Sequence, residues 1–265
     1  MISKTNYPSA PRHPPEAWTE RIADGLFNIL LPDSCICCSA PVARLRDHGV
    51  CDECWVRLLQ LRIEPPFCPS CGIPFPPTRE PANDLCIPCS RVSPDFSSAR
   101  SFGYYTAELR RIIHQLKFSG RQDLAQLLAP LLLSTFFNTW RREEVDAIIP
   151  VPLHSKRLRE RGFNQAALIG KILAQVLACP FLPEGLRRTR LTAPQVGLSD
   201  PGRVRNVRGA FLAARSCPIV GMRILVVDDV LTTGATAGSA ARALLDAGAA
   251  RVSVLSLART VAEQD

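Results

Sequence analysis

The apolar positions of this chain change their rhythm near residue 98. Beyond it they fall into alternating strand and helix spacings. Phe102 to Tyr105 reads as a short strand. Leu109, Ile112, Ile113 and Leu116 recur at i, i+3, i+4 and i+7, the stripe of a helix packed on a core. A second helix is expected from about Gln122, kinked or divided at Pro130. Val145 to Val151 is a continuous apolar strand, and Asn164 to Val176 a helix with Asn164 as N-cap. Arg223 to Val227 and Val252 to Leu257 are two further strands, separated by an alanine-rich helix over Ala237 to Ala247. Continuous apolar strands are buried on both faces, and strands alternating with helices predict a doubly wound parallel sheet. Upstream, Trp18, Ile22, Leu26, Ile29 and Leu30 share one side of an amphipathic helix over Trp18 to Leu31; residues 1–16 read as a disordered tail.

Between these regions cysteine replaces apolar periodicity as the organising signal. Nine of the eleven cysteines precede residue 90, and eight form Cys-x-x-Cys pairs: Cys35 and Cys38, Cys51 and Cys54, Cys68 and Cys71, Cys86 and Cys89. One such turn aims two thiolates at one metal, and two turns complete a tetrahedral zinc site. Sequential pairing gives one Zn²⁺ on Cys35, Cys38, Cys51 and Cys54 and a second on Cys68, Cys71, Cys86 and Cys89. An interleaved arrangement joining the first and third pairs, or redox use of the pairs, are the alternatives. Four thiolates close a site to water, so both metals are expected to be structural. Cys37 reads as a spectator, and Cys179 and Cys217 as packing residues.

Composition refines this picture only slightly. With 265 residues, 46% apolar and 21% charged, the chain suits one or two globular domains. The divisions expected are a tail over 1–16, a zinc-ribbon module with its helix over 17–95, and an α/β domain over 96–265. No apolar run reaches membrane-spanning length, and Pro8, Pro11, Pro14 and Pro15 interrupt any secretory signal, so a cytoplasmic location is expected. The formal charge is +8, but eight thiolates remove eight charges and two zinc ions return four, leaving about +4.

Candidate chemistry concentrates at the end of one strand. Asp228 and Asp229 follow the Arg223 strand, and Thr232-Thr233-Gly234-Ala235-Thr236 leads into the alanine-rich helix. Free N–H groups and the positive dipole end of a helix suit a phosphate. The adjacent carboxylates suit sugar hydroxyls or a metal bound to them. No Gly-Lys-Ser/Thr follows, which excludes the nucleoside-triphosphate loop. The plain alternative is a capped helix after a buried strand. Pro150-Val151-Pro152 ends another strand and precedes Lys156, Arg157, Arg159 and Arg161, read as a cationic loop for a multiply charged phosphate group. The stretch from Arg187 to Phe211 carries six arginines, Arg205 among them, against the single acid Asp200, and reads as an irregular mobile lid or a nucleic-acid arm.

Together these segments resemble the ComF family of competence-associated, type I phosphoribosyltransferase-like proteins. The resemblance is carried by the four cysteine pairs, Lys117-Phe118, Pro150-Val151-Pro152, Arg161-Gly162-Phe163-Asn164-Gln165, Gln195-x-x-Leu198, Arg205-Asn206-Val207-Arg208-Gly209-Ala210-Phe211 and the run from Val227 to Thr236. It implies a parallel sheet flanked by helices, with a small zinc-ribbon module before it. It implies 5-phosphoribosyl-1-diphosphate as ligand, with Mg²⁺. Asp228 and Asp229 would take the ribose hydroxyls, Thr232, Thr233, Gly234, Ala235 and Thr236 the 5′-phosphate, and Pro150, Val151 and Pro152 the pyrophosphate. Arg161 and Arg205 would cover it, and Asp228, Asp229 and Arg161 would serve any chemistry. The alternative is a non-enzymatic accessory of natural transformation. Its partners would be single-stranded DNA or competence helicase-type proteins. Its basic loops carry only Phe163 and Phe211 as aromatics, few for base stacking.

Overall fold

The computed structural model describes residues 34–42, 49–76, 84–190, 207, 209–215 and 217–261. Compactness divides the chain into residues 1–51 and 52–265. The expected helix over Trp18 to Leu31, the tail, and most of the basic stretch after Arg190, Arg205 included, lie outside the described residues.

In the first unit, a tight turn after Cys35 returns Ser39 N–H to the Cys35 carbonyl (2.8 Å), and Ile36 N–H bonds Gly49 (2.8 Å). The second unit holds β1 (Ser98–Tyr104), β2 (Ala147–Pro150), β5 (Arg223–Leu231) and β6 (Arg251–Arg259) in one parallel sheet of order β1-β6-β5-β2. The two central strands are buried on both faces, as their unbroken apolar runs require. The short antiparallel pair β3 (Leu186–Arg188) and β4 (Phe211–Ala213) closes the ends of the basic stretch. Sequence spacing did not reveal this pair.

The helices are α1 (Asp52–Gln60), α2 (Ile87–Arg91), α3 (Ala107–Phe118), α4 (Leu124–Phe137), α5 (Ser155–Arg161), α6 (Gln165–Val176) and α7 (Ala235–Asp246). In α3 the predicted stripe Leu109, Ile112, Ile113 and Leu116 is fully buried. In α7 the buried residues are Ala237, Ala240, Ala241 and Leu244, and the three alanines are small enough to let the helix lie close on β5 and β6. Asn164 caps α6 by accepting the Ala166 N–H at 3.0 Å. α4 runs on through Pro130, which is exposed and so displaces no packed neighbour. The cationic segment after Pro152 is not a loop: Ser155–Arg161 is helical, started by His154 Nδ1, which accepts the Lys156 N–H, and ended by Gly162 at φ 83°.

The second cysteine knuckle lies directly on β1. Ala99 N–H donates to Ser70 O (2.7 Å), and Ile63 N–H to Phe102 O (2.9 Å). Gly72 has φ +69°, and a Cβ there would lie 2.4 Å from the Ala99 carbonyl oxygen. Only glycine allows that approach. Cys68, Cys71, Cys86 and Cys89 therefore share one buried cluster with Phe96, Ala99, Val226, Ala237 and Ala240.

Candidate functional site

Strand periodicity settles the geometry of the acid pair. Successive side chains point to opposite faces of a sheet. Ile224 and Val226 face the cluster that holds the α7 alanines, and Asp228 continues their face. Asp229 belongs to the opposite face, toward α3 and α6. There its Oδ1 accepts from Lys117 Nζ at 2.7 Å and its Oδ2 from Gln165 Nε2. Arg161 in turn donates to Gln165 Oε1, and its guanidinium lies 5.2 Å from the Phe118 ring centre. Asp229 is 5% exposed and held by both partners.

Asp228 is treated differently. Its Oδ1 accepts the Asp229 N–H at 2.9 Å, and it keeps a partly exposed edge. Burial on its other sides, and then the neighbouring Asp229 charge, push its carboxyl up to about 7; the Asp229 amide, Lys117 and Arg188 oppose this. Arg188, on β3, stands over the Phe211 ring at 5.4 Å, and burial holds its guanidinium below the usual range.

The other expected elements gather at the same sheet edge. Pro150 pairs with Val227, and Val151 N–H donates to Val227 O at 2.8 Å, so the Pro150–Pro152 turn sits beside Asp228. Asn164 Nδ2 donates to Val151 O at 3.0 Å and fixes that turn. Three residues beyond Asp229, Thr232 and Thr233 lead to Gly234 (φ 82°) and the first turn of α7, where Thr233 Oγ1 accepts the Ala235 N–H at 3.4 Å. A cleft of 1590 Å³ runs from Thr232, Thr233, Gly234 and Ala235 along α7 to Cys86 and Cys89. Thr236, Asp228 and Asp229 are outside its lining. The sequence pattern assigns Gln165 no role beyond its place in the Arg161–Gln165 run. Its place in the first turn of a helix facing the sheet edge was the available signal. Arg188 sits within the basic stretch from Arg187 to Phe211, and no periodicity distinguishes it there.

Both cysteine groups form as sequential pairs. The ligand atoms of Cys35, Cys38, Cys51 and Cys54 lie within 4.8 Å of one another, and so do those of Cys68, Cys71, Cys86 and Cys89. Interleaving is thereby excluded. Backbone amides aim at one sulfur in each: Cys37 and Cys51 N–H at Cys35 Sγ (both 3.4 Å), and Cys86 N–H at Cys68 Sγ (3.5 Å). Burial works to raise the Cys68 thiol, but these amides outweigh it and bring it to about 7; the same balance brings Cys35 to about 6. Two buried guanidinium nitrogens add a second sign. Arg100 Nε and Arg259 Nε lack hydrogen-bond partners, and both side chains reach the second group. Four neutral thiols offer no countercharge to them, whereas zinc with four thiolates carries a net double negative charge. The donor set and its surroundings fit Zn²⁺ in structural sites. Cys37 is buried.

A cysteine-knuckle module joined to a parallel α/β sheet defines the class. Residues 26–91 match the double zinc ribbon domain model. The chain is 37% identical over 239 residues to the DNA utilization protein YhgH of Salmonella typhi, covering 88% of this chain and 100% of that protein. It is 30% identical to Competence protein F of Haemophilus influenzae (85% and 96% covered) and 28% identical to Competence protein ComFC of Bacillus subtilis (81% and 85% covered). The chain belongs to the ComF family. Among solved structures, it is similar to glutamine phosphoribosylpyrophosphate amidotransferase of B. subtilis at TM-score 0.35 and 21% identity, covering 51% of this chain and 26% of that one. Adenine phosphoribosyltransferase is similar at TM-score 0.32 and 19% identity, covering 62% and 82%. Among the described residues no helix is long and apolar enough to cross a membrane.

Proposed function

We propose that this protein binds 5-phosphoribosyl-1-diphosphate with Mg²⁺ at the carboxyl end of β5, in a ComF-type role in competence and DNA utilisation. The observation that carries the reading is the run from Asp228 through Gly234 into α7 beside the Pro150–Pro152 turn. It sets carboxylates for hydroxyls and a helix N-terminus for phosphate at one sheet edge, where open α/β sheets take ligands. Thr232, Thr233, Gly234, Ala235 and Thr236 hold the 5′-phosphate, and Asp228 and Asp229 the ribose hydroxyls. The two acids do this unequally. Asp228 presents an open edge; Asp229 is already held by Lys117 and Gln165 and fixes their positions.

Mg²⁺ takes one or two carboxylates together with substrate phosphates, and Asp228 fits that need. When bound, it would neutralise charge on the diphosphate. Pro150, Val151 and Pro152 bring backbone to the pyrophosphate, and Arg161 and Arg205 supply positive charge. The names of the relatives, which speak of DNA utilisation and competence, support the DNA-linked role.

Calorimetry with 5-phosphoribosyl-1-diphosphate and Mg²⁺ tests the reading. The wild type should bind, and the double variant Asp228→Asn/Asp229→Asn should lose binding. Equal heats from both proteins refute the carboxylate assignment. Pyrophosphate release in the presence of candidate nucleophiles then separates a transferase from a binder.

A further inference from the structure

The second cysteine group is tied to the phosphate turn through one buried side chain. Arg259 is 4% exposed and ends β6. Its Nη1 donates to Cys71 O at 2.8 Å, and its Nη2 lies 3.6 Å from Cys71 Sγ. Its backbone sits at the carboxyl edge of the sheet, paired with Tyr104 on one side and Leu231 on the other. Tyr105 N–H donates to Arg259 O (2.9 Å), and the next residue, Thr260, donates its N–H to Leu231 O (3.1 Å). Leu231 is the residue before Thr232. On the same side, a Cβ at Gly234 would meet the Phe96 ring at 3.6 Å, and Phe96 belongs to the buried cluster of the four cysteines.

We propose that Arg259 is a positioning residue that couples the second zinc cluster to the phosphate turn. Cys71 holds the guanidinium, and the N–H of the adjoining residue, Thr260, holds the end of β5 from which Thr232 to Thr236 depart. A buried guanidinium is costly unless paired. Cys71 is the partner the structure gives it, so the charge of the loaded cluster stabilises Arg259 in place and Arg259 stabilises the loaded cluster in return. Arg57 offers a contrast. It donates to Cys54 Sγ in the first group but is far more exposed and also binds Glu53 and Glu108. It has other anchors and no backbone link to β5 among the described residues. That the coupling tunes ligand affinity rests on the function proposed above; the coupling itself does not.

The test uses the full-length, zinc-loaded protein with Arg259→Met, Arg259→Lys and, as a control, Arg251→Ala at the exposed start of β6. Two quantities are read: zinc release to a competing chelator, and hydrogen exchange of amides 231–236. Loss of a partner to a metal ligand typically weakens a site 10–100-fold. Arg259→Met should release one of the two zinc ions about tenfold faster and exchange the turn amides about tenfold faster, while Arg251→Ala changes neither. Wild-type zinc release, wild-type exchange in the turn, or an equal rise in Arg251→Ala overturns the proposal. If Arg259→Met does not fold, Arg259→Lys decides by the same criteria, since it keeps the charge and loses the fork to Cys71. Failure of the wild type to bind 5-phosphoribosyl-1-diphosphate would sink the proposed function and leave the exchange result standing.

Discussion

Asp228 should make the protein less stable as pH rises, and removing its charge should reverse that. Its folded pKa is about 7, against 3.8 for an ordinary aspartate. Between those values the folded state holds a proton that the unfolded chain has released. The sign follows from linkage. Where the native state binds more protons, stability falls with increasing pH, here from about pH 4 until the native carboxyl ionises near 7. The full shift corresponds to about 4 kcal/mol above pH 7, at about 1.4 kcal/mol per unit. Lys117 and Arg188 are already counted in it, since both oppose the rise. Between about pH 5.5 and about pH 8 the difference is about 2 kcal/mol.

The assay is urea unfolding of wild type and Asp228→Asn at those two pH values. Any pH-independent effect of the amide, and any acid loss of zinc common to both proteins, cancels in the difference of differences. Asp228→Asn should gain about 2 kcal/mol on the wild type over that interval. A constant gap between the two curves would show that Asp228 ionises normally and that its surroundings do not strain it. Ligand binding by the variant should be lost in the same samples, so the carboxylate that destabilises the fold is the one proposed to serve the site.

Three further outcomes follow from particular contacts. Lys117→Met removes one member of a mostly buried pair and leaves Asp229 its hydrogen bond from Gln165; unfolding should show a loss of about 3 kcal/mol. Gly72→Ala puts a methyl 2.4 Å from the Ala99 oxygen at φ +69°, and should cost about 3 kcal/mol in urea unfolding, with lowered zinc content by metal analysis. Stripping both metals with a chelator should abolish amide protection across residues 35–89, because structural zinc contributes roughly 10–16 kcal/mol in small zinc domains; unchanged exchange there refutes it.

Much of this arrangement is legible in the sequence because it is local. Four Cys-x-x-Cys pairs at intervals of twelve to fourteen residues announce two knuckles, and sequential pairing is the arrangement found. The 3.6-residue stripe of α3 is buried as read. β5 extends past the predicted Val227 because Asp228 and Val230 still pair with Ser256 and Ala258, which polarity alone does not reveal. α5 is not legible in the sequence, for a different reason. Its run of arginines has no apolar face and therefore no period, and its ends are set by His154 and Gly162 instead. β3 and β4 are three residues each, too short for alternation to register. The contacts that organise the site join residues far apart in the chain: Lys117 with Asp229, Gln165 with Asp229, Cys71 with Arg259. No spacing rule reaches across 188 residues.

The placement of the second knuckle changes what its metal stabilises. A cysteine module hung on a linker would keep its folding energy to itself. Here Cys68, Cys71, Cys86 and Cys89 are buried in the same cluster as the strand residues Ala99, Ile149, Ile224 and Val226 and the α7 alanines. β1 exchanges backbone hydrogen bonds with the segment that carries the knuckle, donating from Ala99 N–H to Ser70 O and accepting at Phe102 O from Ile63 N–H. β1 is also an edge strand, with only β6 beside it in the sheet, and a knuckle laid against that edge covers backbone that would otherwise invite pairing with another chain. The free energy of metal binding is therefore spread into the sheet that carries Asp228 and the turn proposed to hold phosphate. A chemically inert, four-thiolate site thereby bears on the stability of the sheet edge proposed to bind the ligand.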